Sequence, residues 1–202
     1  MPSQLQLFNT AFAHLGESTV PQITGDPKPA NVVKAFAAWP LALDTGLARH
    51  PWLCGLQRMT IARSASADGD WQYDYVYELP VDTLRIWTVK EGNTFAWERS
   101  TVVTGAFVGR PVIRSSYAGP LKVAIVRRTI PELLTPLLAD AIGYELASRL
   151  AGPIQSDAKL AAQLKDKADT AYALAQGSEA GEHGGDDIVI TSPMADARSS
   201  AH

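Results

Sequence analysis

The chain has 202 residues and a single cysteine, Cys54. One thiol excludes a disulfide framework and a multi-cysteine zinc site. No run approaches eighteen apolar residues, so no segment reads as a membrane span. No Lys or Arg precedes Lys28, so the opening lacks the charged region of a signal peptide, and a reducing cytosol is the expected place of synthesis. Basic residues do not dominate either: 18 Lys and Arg stand against 21 Asp and Glu, a net charge of −3. That balance excludes a domain that grips nucleic acid by counterion release. The charge is uneven. Residues 177–202 hold five acids and one base and carry −4, which leaves +1 on residues 1–176.

Helical periodicity opens the chain. Ser3 with Gln6 three residues on is a capping box. Leu5, Phe8, Ala11, Phe12 and Leu15 follow at helical spacing, and Gly16 is placed to end the helix. Residues 17–29, with Pro21, Gly25, Pro27 and Pro29, read as a loop. A second helix is predicted over about 30–49, with Val32, Val33, Phe36, Leu43 and Leu47 on its apolar face. Pro40 is expected to kink or split it near Trp39, and His50-Pro51-Trp52 to end it.

The period then changes. Trp71, Tyr73, Tyr75 and Tyr77 fall on every second residue, as in a strand with one aromatic face. Residues 84–90 are β-branched and aromatic enough for another strand, and shorter candidates lie at 95–98, 101–104, 111–115 and 121–127. Turn signals at Gly92-Asn93, Gly105, Gly109 and Gly119-Pro120 separate them, which points to a small antiparallel sheet or sandwich. Helices return after Thr135 and Pro136, an N-cap and first-turn pair. Leu134, Leu138, Ile142, Leu146 and Leu150 form one face, Glu145 and Arg149 are expected to pair on the outside, and Gly152-Pro153 to end the helix. Ser156 is expected to cap a last helix that carries Leu160, Leu164, Ala171 and Leu174 to about Gln176.

The expected fold is therefore α+β: a helical bundle from 1–63 and 129–176, an inserted antiparallel β-subdomain at 64–128, and a flexible acidic tail at 177–202. The tail is polar and Gly/Ser-rich and is expected to stay disordered unless a partner orders it. Within it, Ile188, Val189 and Ile190, followed by Pro193 and Met194, form an apolar patch suited to docking on a protein partner as an extended strand.

Catalytic readings find little support. His14, His50, His183 and His202 are too scattered for a metal pair, and no cofactor site is evident. Cys54, beside Trp52 and Leu56, reads as a small buried thiol. Asp68 and Asp70 around Gly69 read as an acidic turn, and Gly185-Asp186-Asp187 as a chance match to a polymerase turn. The aromatic strand 71–77 reads as a buried sheet face. As an alternative it is a platform for nucleic acid or another ligand, although the intervening Asp74 and Glu78 are acidic. Arg110, Arg114, Arg127 and Arg128 are candidates for contact with DNA phosphates or with an interface.

Several stretches together resemble the head-to-tail adaptors of tailed bacteriophages, the tail tubular protein A family. They are the helix with Leu7-Phe8-Asn9 and Ala11 ending at Leu15-Gly16; the second helix closing on His50-Pro51-Trp52 and reaching Arg58 and Ala62; the Tyr73-Asp74-Tyr75, Tyr77, Leu79-Pro80, Asp82, Leu84-Arg85 series; and the helix 141–150 with Leu146-Ala147 and Leu150-Ala151. The resemblance covers about residues 5–176. It departs from the family at Leu53-Cys54-Gly55, where an aromatic-small pair is usual, and residues 186–202 match none of its motifs. The resemblance implies a non-enzymatic virion protein of the phage neck, assembled in the host cytoplasm. It implies a dodecameric ring under the portal protein, with a tail nozzle or tube below and double-stranded DNA passing through during ejection. It also implies portal contact by the C-terminal segment, for which Ile188, Val189, Ile190, Pro193 and Met194 are the candidates. A ring subunit needs close-packing faces, and the small residues Ala139, Gly143, Ala147 and Ala151 are expected to supply one.

Overall fold

The computed structural model describes residues 1–65, 71–90, 94–101 and 109–182. Two helices, α1 (Gln4–His14) and α2 (Ala30–Ala48), precede six strands: β1 (Leu56–Ile61), β2 (Tyr75–Glu78), β3 (Thr83–Val89), β4 (Trp97–Thr101), β5 (Pro111–Ser115) and β6 (Leu121–Arg127). A 3-10 turn at Pro131–Leu133 leads into α3 (Pro136–Gln155) and α4 (Ala158–Glu182). The fold is α+β, four helices with two three-stranded antiparallel sheets, ordered β1-β6-β3 and β2-β5-β4.

The helix starts follow from local chemistry. The Gln6 amide donates to Ser3 Oγ at 3.2 Å and the Ser3 amide to Gln6 Oε1 at 2.7 Å, so both members of the capping box are engaged. Gly16 takes φ +71° beyond the end of α1, where a side chain would be strained. Thr135 Oγ1 accepts from the Leu138 amide at 3.4 Å and Pro136 follows it, as the sequence indicates.

Four helix features differ from expectation. First, α2 runs unbroken through Pro40. Pro40 lies on the exposed side, so its ring meets solvent and the helix loses one internal hydrogen bond. Val33 is also exposed and does not belong to the buried face. Second, α3 passes Gly152-Pro153 and ends at Gln155, with Ser156 in the left-handed conformation at φ 55°. Its last turn is held from outside: Lys34 Nζ donates to the Pro153 carbonyl at 2.7 Å, and Gln155 Nε2 to the Leu15 carbonyl at 2.8 Å. Third, Asp157 rather than Ser156 caps α4, accepting from the Leu160 amide at 2.9 Å. Fourth, α4 continues past Gln176 to Glu182, so residues 177–182 belong to the bundle and not to the tail. Tyr172, Ala175 and Glu179 form the buried stripe of its C-terminal half, with Glu179 inside the added turns, and Leu174 faces outward.

One core lies among the helices and another between the sheets. In the helical core Phe8 meets Phe36 and Trp39 edge-on at centroid distances of 5.2 and 5.7 Å, a favourable ring geometry. The Leu134, Leu138, Ile142, Leu146, Leu150 row is wholly buried there. So are Ala139, Ala147 and Ala151, and a Cβ on the buried Gly143 would come within 3.1 Å of Thr10. These small residues let α1 approach α3 within the subunit; they do not form an outer face.

The sheet core joins Tyr77 and Ile113 of one sheet to Leu121, Val123 and Ile125 of the other. Strand β6 is central to both cores, because its alternate residue Val126 packs against the helices. A strand buried on both faces reads as a continuous apolar run, which residues 123–126 (Val-Ala-Ile-Val) show. Strand β1 was not expected. It pairs antiparallel with β6, so the sheet begins inside the segment assigned to the bundle, at Leu56 rather than after residue 63.

Candidate interaction surfaces

The four candidate arginines all meet carboxylates. Arg127 Nε lies 2.9 Å from each oxygen of Asp82, and its Nη1 donates to Gln57 Oε1 at 2.6 Å. Arg128 crosses from the end of β6 to α2, where it makes a bidentate pair with Asp44, its Nε 2.7 Å from Oδ1. Hydrogen bonding to Asp44 raises the Arg128 pKa further above its already high ordinary value. Arg110 lies 3.6 Å from Glu78, and Arg114 lies 4.0 Å from Glu98, its cross-strand neighbour. Two arginines therefore serve the β2-β5-β4 sheet, and two tie the end of β6 to its surroundings. Bidentate pairing of this kind gives Arg128 a fixed orientation.

The aromatic series 71–77 divides. Tyr77 is fully buried, and its hydroxyl sits between the carbonyls of Tyr117 and Gly119, 2.8 Å from the latter. Tyr73 is buried too, while Tyr75 is half-buried under the Arg63 guanidinium, 5.2 Å from its ring centroid. Trp71 lies before β2 and is 93% exposed. The series is mostly sheet core, with one indole outside.

A charged cluster sits where α2, α3 and α4 meet, and sequence reasoning did not anticipate it. Glu145 is 1% exposed, so its pairing with Arg149 is internal rather than external. Arg149 Nε and Nη2 approach Glu145 Oε1 at 3.0 and 2.8 Å, and Lys165 Nζ approaches Oε2 at 2.6 Å. Arg49 lies 3.7 Å from the same Oε2, donates to Asp169 Oδ1 at 2.6 Å, and stacks over the Tyr172 ring at 4.4 Å. Full pairing is what makes a buried carboxylate tolerable. Three cations and two acids at a helix junction hold that junction together.

The histidines of the described region are packing residues. His14 stacks on Tyr144 with centroids 4.0 Å apart, and burial lowers its pKa. His50 meets Trp52 and Trp87 edge-on. Burial pushes the Cys54 thiol up to about 11, with a smaller contribution from Glu179, so at neutral pH it is a protonated, weakly nucleophilic group. Asp68, Asp70, His183, His202, Gly185-Asp186-Asp187, Ile188, Val189, Ile190, Pro193 and Met194 lie outside the described residues. Among the described residues no three His, Cys, Asp or Glu side chains are grouped to hold a metal ion, and no helix is long and apolar enough to cross a membrane.

Two outward apolar faces remain. Val33, Ala37 and Leu41 repeat every fourth residue along α2, beside Pro40, and all are exposed; Val33 and Leu41 are 53% and 59% exposed. A helix apolar on both sides is normally covered on both. The second face is Ile130, Leu133 and Leu137, around the 3-10 turn and the start of α3, at 58%, 54% and 44% exposure. Neither face has the alternation or composition that would have marked it in the sequence. Compared with protein-family models and with curated proteins, the chain finds no match.

Proposed function

We propose that this chain is a structural adaptor of a tailed-phage virion, joining the portal protein to the tail as a ring of like subunits through which double-stranded DNA passes. The observation that carries this reading is the pair of separate apolar faces, Val33-Ala37-Leu41 on α2 and Ile130-Leu133-Leu137 at the start of α3. A subunit with two different sticky faces can associate head to tail, and head-to-tail contacts close into a ring when the rotation between neighbours closes, and into an open filament when it does not. The sequence resemblance supplies the ring's place between portal and tail nozzle and its dodecameric count. The tail segment with Ile188, Val189, Ile190, Pro193 and Met194 is the proposed portal contact.

The charge distribution agrees with a conduit. A body of +1, with its four candidate arginines tied to carboxylates, carries little net positive charge toward phosphate, and DNA slides past a surface that exchanges few of its counterions. In this reading the chain performs no chemistry and uses no cofactor.

The test uses two charge variants, Leu41→Glu and Leu133→Glu. Each spoils one face and leaves the other intact. Head-to-tail association then gives rings for the natural chain with portal, no rings for either variant alone, and only dimers when the two variants are mixed. Rings formed by both variants would refute the assignment of these faces.

A further inference from the structure

Strand β1 leaves an open sheet edge. Among the described residues it lies at the margin of its sheet, with only β6 beside it. The Arg127 amide donates to the Gly55 carbonyl at 2.9 Å, and Leu56 stands opposite Val126. Antiparallel alternation then turns the peptide groups of Gln57, Met59 and Ile61 toward β6, and those of Arg58 and Thr60 toward the free margin. The opposite margin, β3, is interrupted by two register shifts, whereas β1 pairs without one. Of the usual protections of an edge, β1 lacks a bulge and a proline and has only the charge of Arg58.

The same edge is cationic. Arg58 is exposed, and neither it nor Arg63 meets a carboxylate among the described residues, unlike Arg110, Arg114, Arg127 and Arg128. The C-terminal end of α4 lies beside the start of this strand, since the Leu53 amide donates to Glu179 Oε2 at 3.2 Å. From Glu182 to Ile188 is at most about 20 Å of extended chain, and β1 is roughly 17 Å long. Residues 186–190 read Asp-Asp-Ile-Val-Ile: two acids, then three β-branched residues with strong strand preference.

We propose that residues 186–190 add to the free edge of β1 in the same chain as a fourth strand, parallel to it, with Asp186 and Asp187 beside Arg58 at the end nearer α4 and Ile188–Ile190 running toward Ile61. Main-chain hydrogen bonds supply the attachment and the charges set its place. In an adaptor, a portal that takes up this segment first has to displace it from β1.

Amide hydrogen exchange on the isolated full-length chain tests this, comparing the natural sequence with Val189→Pro, which removes a strand donor outside the folded body. The Arg58 and Thr60 amides are expected to exchange about tenfold or more faster in the variant, while core amides such as Ile142 stay unchanged. Equal rates at Arg58 and Thr60 in the two chains would overturn the proposal. Protection that grows with protein concentration would also overturn it, by assigning the edge to a second copy. Since no portal is present, the outcome is independent of the adaptor reading.

Discussion

Arg149 holds Glu145 from one turn further along α3, its Nε and Nη2 at 3.0 and 2.8 Å from Oε1, and the carboxylate they enclose is 2% exposed. Lys165 and Arg49 close on the other oxygen. Removing the carboxylate leaves three cations facing one another at a helix junction. Glu145→Ala is expected to cost about 3 kcal/mol, the range for breaking a buried pair from one side. Lys165→Ala, on the exposed rim, is expected to cost less than about 1 kcal/mol. Urea unfolding of both variants checks the asymmetry, and equal costs would show that the cluster behaves as a surface network.

Gly46 sets the distance between α2 and its neighbours. A Cβ there would stand 2.5 Å from Tyr172 Oη and 2.9 Å from Ile142 Cγ1. Gly46→Ala is expected to cost about 1–3 kcal/mol by overpacking. The Tyr172 hydroxyl is buried and has no hydrogen-bond partner among the described residues, so Tyr172→Phe alone should be close to neutral. The double variant should recover part of the Gly46→Ala loss. Simple additivity in thermal unfolding would place the clash elsewhere.

His14 gives the fold a pH dependence. Burial lowers its pKa from the ordinary 6.5, so below that value the unfolded chain binds a proton that the folded chain resists. Stability from this group is full above about pH 6.5 and falls as the pH drops toward the folded value. His14→Phe keeps a ring to stack on Tyr144 and removes the titration. Chemical-denaturation midpoints between about pH 5 and 7 should fall less steeply in the variant, and an unchanged slope would assign the dependence to other groups.

Leu146 tests the row that sequence and structure share. It is fully buried, and Leu146→Ala is expected to cost about 2–5 kcal/mol. A cost near the surface value of about 0.5 kcal/mol would put the row on the wrong face.

What was legible in the sequence is what nearby residues decide. Ser3 and Gln6 cap each other across one turn, Thr135 and Pro136 start α3, and the leucine row repeats at four-residue steps. What was not legible depends on distant partners. Gly152-Pro153 looks like a stop until Lys34 and Leu15 supply partners for the turn around it. Leu56–Ile61 has no clean alternation, because its strand state comes from β6, far along the chain. Trp71 fits the aromatic period yet lies before β2, since spacing cannot say where pairing begins. The candidate arginines were visible as residue types, but their carboxylates Asp44, Glu78, Asp82 and Glu98 were not. Glu145 beside the leucine row carries no local mark of burial, because its cations come from three helices.

The most direct measurement is electron microscopy of this chain mixed with portal rings of a tailed phage. An adaptor gives a second ring, coaxial with the portal and with a central opening wide enough for duplex DNA. Portal rings that remain bare while the chain stays separate in solution would contradict that function.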